Sequence, residues 1–542
     1  MHKELFARPV GAETLRGWLA DGQEIALIDV RDGAVFSESH LLVASNVPLA
    51  TLEIRAPQLL PRKTVRLVIV DGGESISLSC KAADILQRHG YSDIHVLEGG
   101  TAQWKNRGYR LFSGIHVPSK AFGEYIEHSM STPRIDAATL HAWMQSGREF
   151  ALFDSRPQEE FSVVSVPGAT DCPGAELVYR VPGLLRSPDV PVVVNCAGRT
   201  RSIIGAQSLR DAGLANPVFA LENGTMGWQL AGLQVETGRS NIAQEPHQEA
   251  LLKAMAMAKE VAERSRLRFI SVGELESMLS QVHRTTYVFD VRLPSEYAEG
   301  HHPGSVNAPG GQLVQATDAF AAVRGARIVL VDRHEVQAVM TGHWLQKMGW
   351  HEIFILRAGL GGMQEVGSSP VSGLGESQLR CSSVDAAELS RLMSTGIIHV
   401  IDVGESYWYR KARIPGSYFA MRSKLPQVLE RFGKQDALMF TCGDGRLSRY
   451  AAEDASVLGY ENVRYLEGGR AGWRAAGNPT EQSTGDGDPK LLTETKDMWY
   501  PLFARSANVA EGMRQYLAWE VDLLEQVRHE TYFSFGGARS VT

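Results

Sequence analysis

Cysteine is scarce. The chain has five in 542 residues (Cys80, Cys172, Cys196, Cys381 and Cys442), none of them in a C-x-x-C pair. That is too few and too scattered for a disulfide framework, and it fits a reducing compartment. Long apolar runs are missing as well: no stretch of about 18 apolar residues occurs. The opening M-H-K-E-L-F-A-R-P-V has no apolar core of signal-peptide length. A soluble, cytoplasmic protein with no membrane partner is expected. Nor is there an excess of positive charge. Lys and Arg number 55 against 62 Asp and Glu, the net charge is −7, and no basic stripe appears, which argues against a nucleic-acid partner. The remaining composition, 44% hydrophobic and 22% charged, is that of an ordinary soluble globular protein. The length exceeds what one core supports and suggests roughly three to five domains.

What the chain does contain is an internal repeat, read from three anchors. A strand ending in Asp recurs at Asp29, Asp154, Asp290 and Asp402. Fourteen residues on, three copies show Gly168, Gly304 and Gly416, each after a proline, while the first copy has Val43. A second apolar strand follows. The residue at its tip lies 42 residues beyond the Asp in three copies (Asp71, Cys196, Asp332) and 40 beyond it in the fourth (Cys442). The third anchor reads L-E-G-G-T-A-Q-W to Trp104, L-E-N-G-T-M-G-W to Trp228, L-R-A-G-L-G-G-M to Met363 and L-E-G-G-R-A-G-W to Trp473. Short strands alternating with helical patterns imply βαβ units and parallel sheets covered on both faces.

The chemistry gathers at V-V-V-N-C-A-G-R-T-R-S, residues 192 to 202. Cys196 ends a buried strand and a short loop leads into a helix start, where amides and the helix dipole stabilise negative charge. With Arg199 and Arg201 nearby, a depressed thiol pKa and a nucleophilic thiolate are expected. The alternative is a buried structural cysteine. The second thiol loop, Cys442-Gly443-Asp444-Gly445-Arg446-Leu447-Ser448, is less tuned, since Asp444 offsets Arg446 and Leu447 replaces Arg201. Asp71 and Asp332 cannot act as nucleophiles. The repeated Asp residues suit a structural role capping a turn. His301 and His302 follow the repeat rather than forming a metal pair, and Gly359 to Gly362 belong to the third anchor rather than to a dinucleotide fingerprint. Cys80 reads as core, Cys381 as a linker residue and Cys172 as a passive thiol, with a resolving role as its alternative.

The D-x-R…P-G-A…C-x-x-x-x-R-S…L-E-G-G…W pattern resembles the rhodanese domain of sulfurtransferases, in four tandem copies over most of the chain. The resemblance implies an α/β fold: four rhodanese-like units, each a parallel sheet with helices on both faces, plus a C-terminal helical appendage. Its expected division is 1–118 (inactive, Asp71), 119–243 (active, Cys196), 244–375 (a long helix and an inactive unit, Asp332), 376–482 (Cys442) and 483–542 (linker and helices). It implies transfer of sulfane sulfur from thiosulfate or a persulfide to a thiol or cyanide. Cys196, and in second place Cys442, would carry the sulfur. Ala197, Gly198, Arg199, Thr200, Arg201 and Ser202, with Gly443, Gly445, Arg446 and Ser448, would bind substrate. No cofactor or metal is expected. The long helix over 244–266 is expected to divide the chain into two halves of two units. The C-terminal helices are expected to pack on the last unit or on a partner chain, as in a homodimer. Two rivals remain: a non-catalytic sulfur-trafficking adaptor, and a cysteine phosphatase or arsenate reductase. The latter typically needs an arginine six residues after the cysteine, where Ser202 and Ser448 stand.

Overall fold

The computed structural model describes residues 7–73, 77–357, 365–367, 371–396, 398–500 and 508–536. Four sheets follow one another, each built on an apolar tip strand, rich in β-branched residues in the first three units, that is buried on both faces, as parallel strands under helices must be. In the second unit the strand order is Arg134–Ile135, Val218–Leu221, Val192–Asn195, Ala151–Asp154 and Thr170–Asp171, all parallel. The other sheets repeat that order. Their register is shared too. Asp29 pairs with Val70, Asp154 with Asn195, Asp290 with Val331 and Asp402 with Thr441. Each repeated Asp thus lies beside the residue just before the tip residue, at the carboxyl end of the sheet where ligands of such folds bind.

The Asp does cap a turn, accepting the backbone N–H two residues on at 3.1, 3.1, 3.1 and 2.9 Å in the four copies. It is also a buried ion-pair partner. Arg31, Arg156 and Arg292 grip it, and each donates onward to a carbonyl eight residues later, that of Ser39, Val164 or Gly300. The fourth copy has Gly404 in place of that arginine, and Arg470 from its third anchor reaches Asp402 at 3.0 Å instead. A buried carboxylate needs a counter-charge, and the fourth unit recruits it from a different anchor.

The packing of the units differs from two halves of two. The second unit packs on the third: Trp344 Nε1 donates to Ser208 Oγ at 2.8 Å, His343 meets Asp211 at 2.9 Å, and the Gly174 and Gly311 backbones touch. The first unit meets the fourth through the corresponding face, where Arg422 is clasped by Glu53 at 2.8 and 2.9 Å. Each thiol-bearing unit is therefore set against a carboxylate-bearing one. The first and third units are joined as well. Val323–Arg324 adds antiparallel to Ile25–Asp29, and one hydrophobic core runs through the first three units. The long helix Gln248–Ser265 is wedged between the second and third units, lying along Val336–Lys347 on one side and against Glu176–Arg180 and Val181–Gly183 on the other.

The C-terminal helix Val509–Val527 packs on the first and second units rather than on the last one. Leu523 and Val527 enter the core of the first unit, and Met513, Tyr516 and Leu517 cover Met226 of the second. Its apolar face matched a surface formed jointly by two distant units, an address that amphipathic periodicity does not encode. Among the described residues, no helix is long and apolar enough to cross a membrane.

Candidate active site

The tip loop is an anion cradle, and the two units without a thiol show it occupied. Asp71 accepts from Gly73 N at 2.9 Å, Ser79 N at 3.0 Å, and the Ser77 and Ser79 hydroxyls at 3.0 and 2.8 Å. Asp332 accepts from the amides of Glu335, Gln337 and Ala338 at 2.6, 2.8 and 3.3 Å. Burial alone would raise both carboxyls. The donors hold Asp71 below the usual carboxylate range, whereas at the fully enclosed Asp332 burial wins and pushes the group up to about 7. In these two units the carboxylate itself fills the cradle.

The other two cradles hold a thiol at the same place. Cys442 Sγ accepts from Gly445 N at 3.2 Å and lies 3.6 Å from both Ser448 Oγ and Asp444 Oδ1. Its loop faces solvent, with Gly443 and Asp444 exposed, and Arg446 is turned away to the Val371 carbonyl at 2.7 Å. A cavity of about 410 Å³ opens between this unit and the first. Leu447 lines it with Asp32, Glu405, Asp497, Arg55 and Arg422.

Cys196 sits deeper. Its Sγ is 3.5 Å from Ser202 Oγ, which donates to the Arg199 carbonyl at 2.8 Å. The third anchor holds this loop from behind. Thr225 N donates to Cys196 O at 2.8 Å and Met226 N to Ala197 O at 3.0 Å. Thr101 with Asp71, and Arg470 with Cys442, repeat the first of these bonds at 2.9 and 2.8 Å. In the third unit the anchor lies outside the described residues, as do Gly359 to Gly362.

Both arginines are committed to carboxylates, although Arg201 still acts on the Cys196 thiol. Arg199 turns to the linker helix Val117–Met130 and meets both oxygens of Glu124 at 2.7 and 2.8 Å, Glu127 at 2.5 Å and Asn223 at 3.2 Å. Arg201 is held by Glu160 at 2.8 and 2.7 Å and by Gln312 of the third unit at 3.3 Å. The expected depressed thiol pKa is reversed: burial pushes Cys196 up, and Arg201 and the Ser202 hydrogen bonds offset this only in part. The Cys442 thiol is raised too, by burial first and by Asp444 and Asp402 after that. At neutral pH both thiols should alkylate more slowly than glutathione, with rates still climbing beyond the range in which an ordinary cysteine titrates. A rate plateau below that range, followed by mass spectrometry of the labelled peptides, would show stabilised thiolates and contradict this.

Sequence patterns did not expose the roof over Cys196. Lys120 of the linker helix, 4% exposed, donates to the Tyr516 hydroxyl and lies 3.4 Å from Glu520; both partners belong to the C-terminal helix. Thr200 Oγ1 donates to Glu520 at 2.9 Å, and a Cβ on Gly198 would stand 3.1 Å from the other Glu520 oxygen. Two segments far apart in the chain close over one loop.

Among the remaining thiols, Cys172 is wholly buried in the shared core and its pKa is driven well up by burial, so it is passive at rest. Cys80 is half-buried rather than core, and Cys381 is half-buried against Ser456 at 3.3 Å. His301 stacks on Tyr297 with ring centroids 3.7 Å apart.

Known proteins match this arrangement. The family model for the rhodanese-like domain matches residues 11–107, 136–231, 271–365 and 385–476. The crystal structure of a thiosulfate sulfurtransferase from Pseudomonas aeruginosa superposes with a TM-score of 0.88 at 39% identity, covering 98% of this chain and 99% of that one. Thiosulfate sulfurtransferase GlpE of Tolumonas auensis is 28% identical over 95 residues, 18% of this chain and 87% of that protein. An HTH-type transcriptional regulator of Mycobacterium tuberculosis is 36% identical over 90 residues, 17% of this chain but only 39% of the regulator.

Proposed function

Because the chain belongs to the rhodanese-like domain family and is a sulfurtransferase homologue, we propose that it moves sulfane sulfur through a persulfide on Cys196. The Cys196 thiolate attacks the outer sulfur of thiosulfate; the S–S bond breaks and sulfite leaves with the electron pair. With a thiol persulfide as donor, the thiolate leaves instead. Cyanide or an acceptor thiolate then attacks the sulfur held on Cys196. The second S–S bond breaks, its electrons return to Cys196, and thiocyanate or a new persulfide departs. Ser202 and the loop amides hold the outer sulfur, and Ala197 and Gly198 leave room for it. Arg199 and Arg201, locked by carboxylates, set the shape of the loop and supply a long-range field.

One observation carries this reading. Where the thiol is missing, a carboxylate takes its place and receives the cradle's donors, so the loop is built for a small anionic group at that point. Cys442 is the second carrier. Its open loop and the carboxylates of the adjoining cavity suit a neutral or cationic donor, or sulfur relayed from Cys196. Donor and acceptor are small molecules, and the setting is the cytoplasm. In the adaptor reading there would be no turnover and no gain of one sulfur on Cys196. Offering thiosulfate, 3-mercaptopyruvate and glutathione persulfide in turn, with cyanide as acceptor, separates the readings. Thiocyanate formation that is lost additively in the Cys196→Ala and Cys442→Ala variants means two independent sites; loss of all of it in either variant means a relay, and loss in Cys196→Ala alone means Cys196 acts by itself.

A further inference from the structure

Glu520 is 2% exposed, and its two oxygens are treated differently. Oε1 takes the Thr200 hydroxyl at 2.9 Å and lies 3.4 Å from Lys120 Nζ. Oε2 is buried, and no described residue donates a hydrogen bond to it. It points at the backbone of the Cys196 loop, into the gap left by the missing side chain of Gly198. A buried carboxylate oxygen without a donor is costly, and apolar packing of the C-terminal helix alone would not call for one. It fits a ligand that brings its own proton. Lys120 and Tyr516 fix the carboxylate from the far side, so its free oxygen cannot swing into solvent.

We propose that Glu520 accepts the S–H proton of the acceptor thiol in the second half-reaction, with Lys120 and Tyr516 as positioning residues. The proposal rests on the persulfide reading of Cys196. As the acceptor sulfur bonds to the outer sulfur of the Cys196 persulfide, its proton passes to Glu520 Oε2. The S–S bond to Cys196 breaks, and the electron pair stays on Cys196 as thiolate. Glu520 then returns the proton to that thiolate. No oxidant enters, and the only species leaving is the acceptor's persulfide. A thiol below its own pKa gains from such a base. Sulfite in its reactive dianionic form has no proton to give, and its charge is opposed by the same carboxylate.

The test is a single-turnover experiment on the full chain. Cys196 is loaded with sulfur, and its loss from the Cys196 peptide is followed by mass spectrometry with 2-mercaptoethanol or sulfite as acceptor. In Glu520→Gln, which keeps the shape, the ratio of the thiol rate to the sulfite rate at neutral pH should fall by at least ~10-fold. The thiol rate of the variant should also rise about tenfold per pH unit toward the acceptor's pKa, because only pre-formed thiolate then reacts. An unchanged ratio, whether both rates hold or both fall, overturns the assignment and leaves Glu520 a packing residue. Failure to load any sulfur on Cys196 in the unaltered protein would instead overturn the proposed function.

Discussion

Replacing Cys196 with alanine is expected to cut thiosulfate:cyanide turnover by at least ~10²-fold, down to whatever Cys442 supplies, and to leave the protein folded. The loss is large because no neighbour can substitute. Ser202 Oγ, at 3.5 Å, is itself committed to the Arg199 carbonyl, and Cys172 lies buried in the core with its thiol held protonated. The fold should survive because the substitution removes one sulfur atom from a buried site, a cost of about 1–2 kcal/mol by analogy with small core truncations. The bonds that set the loop all use backbone atoms of residue 196 or other residues. Steady-state assay with a thermal melt of the same sample checks both halves.

The second large effect comes from a glycine that never touches substrate. Gly224 adopts φ +55, and a Cβ there would stand 2.4 Å from Cys196 O and 2.7 Å from Gly198 O. Gly224→Ala must therefore push the third anchor away from the Cys196 loop and break the Thr225 and Met226 bonds to it. Stability should fall by about 2–4 kcal/mol, and sulfur loading of Cys196 should drop at least ~10-fold. Gly100→Ala in the first unit meets the same obstacle, with its Cβ 2.4 Å from Asp71 O. That variant should lose similar stability while keeping Cys196 loading per folded molecule. Equal losses of loading in the two variants would mean the effect is global unfolding, not loop geometry.

These two variants also mark what was legible in the sequence. The three anchors sit at fixed offsets because they meet in space: Asp beside tip strand, tip loop against third anchor. Spacing therefore revealed the unit, the tip position and both thiols. The Asp402 counter-ion was readable in principle, since the fourth copy has Gly404 where the others have arginine, and Arg470 where they have Thr101, Thr225 and Leu360. Other features depend on surfaces formed only after folding. Arg199 looked like a substrate ligand because it is close to the thiol in sequence. Glu124 and Glu127, more than seventy positions earlier, capture it. Lys120 read as part of a linking helix, and Glu520 as one charge on an amphipathic helix. Nothing in 3.6-residue periodicity says which unit such a helix will cover, so the pairing of units and the roof over Cys196 emerge only from tertiary packing.

The position of the transferred sulfur decides between the mechanisms. The full-length protein is exposed to thiosulfate without acceptor, weighed intact, and then mapped by peptide mass spectrometry. One added sulfur on the Cys196 peptide, removed by cyanide, is the predicted result. No added sulfur, or sulfur confined to Cys442 with Cys196 unmodified, would contradict it.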